Sequence, residues 1–200
     1  MALTGILRAD TVPRMARVKQ QFPGPIVHDV RSAVRQALTD AKLPVRRGQT
    51  VALAVGSRGI VNLDVIVRAT VEHLRALGAR PFIIPAMGSH GGATADGQRS
   101  VLEHYGVTEA AMGCPIRATM EVVQVGEVRG LPVWLDRYAA EADWIGVINR
   151  VKPHTGFDGE IGSGLLKMMT IGMGKHRGAI QAHRANIRLG YETMIVALGR

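Results

Sequence analysis

The chain has 200 residues, enough for one well-packed core, and its 46% hydrophobic and 20% charged residues are typical of a folded globular protein. The net charge of +9 favours anionic small molecules, but the basic residues are spread along the chain and only 4% of residues are aromatic, which argues against nucleic-acid binding. The single cysteine, Cys114, excludes an internal disulfide framework, and no signal peptide or 18-residue apolar run is present. We therefore expect a cytoplasmic protein with no membrane association.

Strands and helices alternate in the first half of the sequence. A Pro-interrupted basic lead-in over residues 12–25 precedes a predicted helix over residues 26–42. Continuous apolar runs bounded by turn residues predict buried parallel strands at Thr50–Val55 and Arg80–Pro85. Helices are predicted after each strand, over residues 61–77 and 96–105. This order predicts an α/β fold with an open, mostly parallel sheet and flanking helices, of the Rossmann-like class.

The second half continues this pattern. Residues 120–135 alternate apolar and polar side chains around two glycines and predict a hairpin, and residues 143–148 predict a further buried strand. Residues 189–200 predict a helix that lacks a cap, so we expect the protein to continue beyond the last residue. We divide the chain into a lead-in with a helix (residues 1–47) and an α/β domain (residues 48–200).

Three loops that follow predicted strands carry side chains suited to ligand binding, namely Arg58, His90 and His154. Such loops gather at the carboxyl edge of an open α/β sheet, where ligands bind. His90 lies among glycines and has no core to pack against. The planar guanidinium of Arg58 suits a carboxylate or phosphate, although an ordinary surface arginine fits the pattern equally well.

The segment from residue 149 to residue 183 contains three histidines and three lysines. Lys167 lies in an apolar run directly after Ser163 and Gly164, and the pattern alone fits either a site lysine or a surface lysine. Seven residues separate His176 from His183, so both can lie on one side of a helix. Lys175 follows a glycine, and we interpret it as a lysine at a helix end, where a cation is favoured.

Taken in this order, these residues resemble those of the lactate racemase family, the nickel-pincer-nucleotide enzymes, and within it the N-terminal domain. The likeness runs from about residue 48 to the end. It implies a cofactor in which a pyridinium mononucleotide with two sulfur-bearing arms holds a nickel ion. Lys167, approached through Ser163 and Gly164, would join one arm covalently as a thioamide. His183 would complete the coordination of the nickel, since imidazole suits that metal.

The resemblance also implies the chemistry. His90 and His154 would exchange a proton with the substrate, one on each face, while Arg58 holds its carboxylate. We therefore expect a racemase or epimerase of a 2-hydroxy acid that uses hydride and proton transfer.

Family members carry a second α/β domain over the site, and they depend on cofactor-synthesis proteins. Where lactate racemases have an Asp-x-Thr-Arg-Pro pattern, this chain has Gly56-Ser-Arg-Gly-Ile60, so malate or a sugar acid is as plausible a substrate as lactate. Two other functions fit the residues: a non-catalytic α/β module for an anionic metabolite or nucleotide, and a histidine-ligated metal hydrolase.

Overall fold

The computed structural model describes residues 15–21, 24–57, 59–153 and 160–199. Its centre is a parallel sheet in which β1 (Thr50–Val55) lies between β2 (Arg80–Pro85) and β5 (Trp144–Ile148). In register, Thr50 lies opposite Arg80, and Val51 lies opposite Trp144. The predicted α/β class with parallel strands is confirmed.

One helix follows each of the first two strands of the sheet. Helix α2 (Leu63–Ala76) links β1 to β2, and α3 (Ala95–His104) follows β2, so both predicted helices form within two residues of the expected bounds. The earlier helix α1 (Val30–Asp40) begins four residues later than predicted. Asp29 caps it, because its carboxylate accepts a hydrogen bond from the backbone N–H of Ser32 at 2.9 Å. A 2.7 Å ion pair between Arg31 and Glu72 joins α1 to α2.

A hairpin separates the second and third strands of the sheet, as the sequence predicts. Its strands, β3 (Val122–Val128) and β4 (Leu131–Asp136), pair antiparallel, with a bulge between Gln124 and Gly126. A single-turn helix, α4 (Glu109–Met112), precedes the hairpin and another, α5 (Arg137–Ala140), follows it. Asp136 ends β4 and caps α5, accepting hydrogen bonds from the backbone N–H groups of Tyr138 and Ala139.

Helices make up most of the chain from residue 165 to residue 199. A one-turn helix α6 (Leu165–Lys167) runs into a π-helical turn (Met168–Gly172), followed by α7 (Lys175–Leu189) and α8 (Tyr191–Gly199). The predicted terminal helix is confirmed as α8. For α7 the sequence predicted no bounds, and indicated only that His176 and His183 can lie on one side of a helix with an end near Lys175. Its buried face consists largely of glycine and alanine and contains no large apolar side chain. Of the helices that the structure describes, none is both long and apolar enough to cross a membrane.

The core lies on both faces of the sheet because alternate residues of a strand point in opposite directions. Val51, Leu53 and Val55 of β1 face a cluster built with α2 and α3. Ala52 and Ala54 face a second cluster that contains the methionines flanking the π-helical turn. A third cluster packs α7 against α8. Coverage of both faces leaves the strand ends as the place where polar groups can gather.

We predict that Gly97→Ala destabilises the protein. Helix α3 approaches the preceding loop so closely at Gly97 that an added Cβ would lie 1.9 Å from the carbonyl oxygen of Gly91. Overpacking of this kind costs about 1–3 kcal/mol, and each kcal/mol lowers the melting temperature of a domain this size by about 2–4 °C. Thermal unfolding followed by circular dichroism measures the effect.

Gly126→Ala is the matched control, because no atom lies within 4 Å of the position that its Cβ would occupy. Equal melting temperatures for Gly97→Ala and Gly126→Ala would contradict the close approach of α3 to the loop.

Candidate functional site

A pocket of about 320 Å³ opens where the three parallel strands end. Its walls come from four parts of the chain: the loops after β1, β2 and β5, and the segment around Lys167. The lining residues are Gly56, Ser57, Ala86, Met87, His90, Asn149, Arg150, Lys152, Pro153, Ser163, Lys167, Met168, Ile171 and Gly172. The structure therefore brings together three of the predicted site residues, His90, Ser163 and Lys167, from distant parts of the sequence.

His90 is held across the pocket by the loop after β1. Its Nδ1 atom lies 2.6 Å from the hydroxyl oxygen of Ser57, and these two atoms share a hydrogen bond. Because a hydroxyl can donate to a neutral imidazole and accept from a protonated one, this contact persists when His90 gains or loses a proton. Sequence analysis missed Ser57, whose partner lies 33 residues away.

The turn before Lys167 is fixed to the end of β5. Lys152 and Ser163 exchange two backbone hydrogen bonds, of 2.8 and 2.9 Å. The side-chain amide of Asn149 donates to the carbonyl oxygen of Gly164 at 3.0 Å, so Gly164 is held beside the pocket without lining it. Lys167, at the end of α6, is half-buried and lines the pocket next to Met168.

The π-helical turn after Lys167 contacts the loop that carries His90. The backbone N–H of Gly88 donates to the carbonyl oxygen of Gly172 at 3.1 Å. A Cβ on Gly172 would lie 2.8 Å from the carbonyl oxygen of Ala86, so this contact requires a residue without a side chain. The segment of Lys167 and the loop of His90 are thus joined directly.

Of the other predicted site residues that the structure describes, Gly164 and His183 do not line this pocket. His183 is exposed on α7 and is not among the lining residues. It lies one helical turn after Ala179, whose methyl group faces Gly88. Arg58 and His154 lie outside the described residues.

Lys175 does not have the environment that its sequence position indicated, and our interpretation of it was wrong. It begins α7, where the helix dipole disfavours a cation, and its side chain is completely buried. Its ammonium lies 3.0 Å from the carboxylate of Asp136 and donates to the side-chain oxygen of Gln98 at 3.1 Å and to the carbonyl oxygen of Pro85.

Burial and the mutual attraction of Lys175 and Asp136 shift the pKa values of the two groups in opposite directions. Burial lowers the pKa of Lys175 and raises the pKa of Asp136, and the attraction between the two groups partly offsets both shifts. No sequence signal identifies the pair, because its members lie 39 positions apart.

Among the residues that the structure describes, no group of three or more histidine, cysteine, aspartate or glutamate side chains lies close enough to hold a metal ion.

The fold and the pocket together define an α/β domain with a pocket at the carboxyl edge of its parallel strands, the edge where open α/β sheets bind ligands. The sequence matches the model of the lactate racemase N-terminal domain over residues 14–193, and the chain belongs to this family. Comparison with curated proteins gave no match, and comparison with solved structures gave none either.

We predict that Ser57→Ala changes the surroundings of the His90 ring without unfolding the protein. The ¹⁵N resonance of Nδ1 in His90 should shift because that atom loses its hydroxyl partner, whereas Ser57→Thr, which retains a hydroxyl, should restore it. The resonances of His104, exposed on α3, should stay unchanged in both variants. Identical His90 spectra in the wild type and Ser57→Ala would refute the contact.

Proposed function

We propose that this protein is a racemase or epimerase of a 2-hydroxy acid that carries a nickel-pincer nucleotide on Lys167. The observation that carries the proposal is the convergence of Lys167, Ser163 and His90 on one pocket, in a chain of the lactate racemase N-terminal domain family. A binding module without turnover would also use this edge of the sheet. Catalysis is favoured because Ser57 holds the imidazole of His90 in either protonation state.

The residues around Lys167 fit a covalently held cofactor. The amine belongs to a half-buried side chain beside the apolar Met168 and Ile171, and two sets of hydrogen bonds fix the turn before it. Lysine is well suited to such bonding because burial readily converts it into a neutral nucleophile. His183, exposed on the following helix, would supply the protein's ligand to nickel. A hydrolase with several histidine ligands gains no support from the described residues.

The charge of the pocket fits an anionic substrate. Arg150 and Lys152 line it, and their positive charges attract carboxylates and phosphates. Ser57 and Pro153 line the pocket and directly precede Arg58 and His154 in the sequence. This supports Arg58 as the residue that binds the substrate carboxylate, and His154 as the second base.

Racemisation requires removal of a proton from the hydroxyl oxygen and of a hydride from the carbon that bears this hydroxyl, which gives a planar keto acid. The chemistry that the cofactor supplies when bound is the acceptance of this hydride and its return to the opposite face. His90 and His154 take up the proton on one face and return it on the other, while Arg58 keeps the carboxylate in place. We propose that the substrate is either lactate or a larger 2-hydroxy acid, such as malate or a sugar acid.

Several further expectations belong to this proposal. The enzyme would work in the cytoplasm with cofactor-synthesis proteins as its partners, and a second domain would close over the pocket. Within the chain, the lead-in and helix of residues 1–47 would be distinct from the α/β domain of residues 48–200.

We predict that Lys167→Ala and Lys167→Arg both lose nickel and racemase activity. Arginine keeps the positive charge but cannot form the covalent bond, so the pair of variants separates attachment from electrostatics. Each protein is expressed together with the cofactor-synthesis proteins. Metal analysis gives nickel per chain, and chiral chromatography follows a panel of 2-hydroxy acids.

Lys19→Ala is the control, because Lys19 is exposed in the lead-in and remote from the pocket in sequence. His90→Ala should retain nickel and lose about 10²–10⁴-fold in turnover. Full nickel content and activity in Lys167→Arg would refute the covalent attachment. A wild-type protein that binds hydroxy acids without interconverting their enantiomers would favour the non-catalytic module.

A further inference from the structure

We infer that Gln98, anchored by the buried ion pair of Lys175 and Asp136, is a positioning residue that fixes the loop carrying His90. This role rests on the proposed function of His90 as a proton-exchanging group. Gln98 does not line the pocket and acts through the backbone of the loop.

The anchor is a buried cation that donates two hydrogen bonds and forms one ion pair. The ammonium of Lys175 has three N–H groups, and its three partners come from three different elements: Asp136 at the end of β4, Gln98 in α3 and the carbonyl of Pro85 at the end of β2. The contact to Asp136 is an ion pair between two side chains with no exposed surface. Moving any of these elements away would leave a buried charge with fewer partners.

Gln98 connects the buried ammonium of Lys175 to the loop that carries His90. Its side chain is completely buried, and its oxygen accepts from Lys175. Its nitrogen donates to the carbonyl oxygens of Gly88 at 2.7 Å and of His90 at 3.3 Å. One amide thus joins the buried cation to the backbone on both sides of Ser89.

A role in stability alone does not explain this arrangement. Buried ion pairs are often no more stabilising than apolar residues of the same volume, so this pair is weak evidence for a role in stability. Lys175 also has a φ angle of +54°, in the left-handed region that a lysine rarely adopts. A lysine in this conformation is strained. The strained and desolvated residue, Lys175, is one side chain away from the loop of His90, with Gln98 between them.

The test uses Gln98→Glu and Gln98→Met. Glutamate keeps the size of the side chain and an acceptor for Lys175, but when ionised it cannot donate to the loop. Methionine removes both contacts. The matched control is Gln181→Met, because Gln181 also bridges two groups, accepting from the indole N–H of Trp134 at 2.6 Å and donating to the carbonyl oxygen of Pro132, away from the His90 loop.

Hydrogen exchange of the cofactor-loaded protein reports the position of the loop independently of activity. In both Gln98 variants we expect exchange of the Gly88 and His90 amides to become about tenfold faster, while the amide of Leu53 in β1 keeps its rate. Turnover should fall by about ten- to a hundredfold with KM and nickel content unchanged, because small displacements of a catalytic group mainly lower kcat. Gln181→Met should leave loop exchange and turnover as in the wild type.

Three results would overturn the inference: unchanged loop exchange in both Gln98 variants, equal acceleration at Leu53 and in the loop, or failure of both variants to fold. The last two would assign Gln98 to core stability alone. If the wild type racemises no hydroxy acid, the proposed function fails, and the exchange rates still decide whether Gln98 fixes the loop.

Discussion

The structure depends on the burial of one charge, the ammonium of Lys175, at the junction of four elements. Helix α7 supplies the lysine, the end of β4 supplies Asp136, α3 supplies Gln98, and the end of β2 supplies a backbone carbonyl. A buried ammonium that loses its partners destabilises the protein strongly. The four elements are therefore held in fixed positions relative to one another. The hairpin and the last helices are thereby fixed to the carboxyl end of β2, beside the pocket.

The parallel sheet determines where chemistry can occur. Its faces are covered by apolar clusters, so polar side chains gather where the strands end. Ser57 continues from β1 to reach His90 after β2, and Asn149 continues from β5 to hold the turn before Lys167. Each strand therefore contributes one element of the same pocket, and the shared edge explains why residues far apart in sequence meet there.

The sequence predicted the features that depend on local pattern. The three strands, the hairpin and the helices between them follow from apolar runs and turn residues, and His90 was identified because it lies among glycines after a strand. Residues whose role depends on distant partners were not predictable. Gln98 resembles any helix residue, and Lys175 was assigned to an ordinary helix end, because their partners lie up to 90 positions away. The bounds of helix α7 were not predicted, because its buried face consists largely of alanine and glycine and contains no large apolar side chain.

The central claim is that Lys167 carries the cofactor in the pocket that His90 lines. Peptide mass mapping of the protein purified after expression with cofactor-synthesis proteins tests it most directly. The account predicts an added mass on the peptide that contains Lys167, while Lys152, which also lines the pocket, and the buried Lys175 stay unmodified. An active, nickel-containing protein with an unmodified Lys167 would contradict the account.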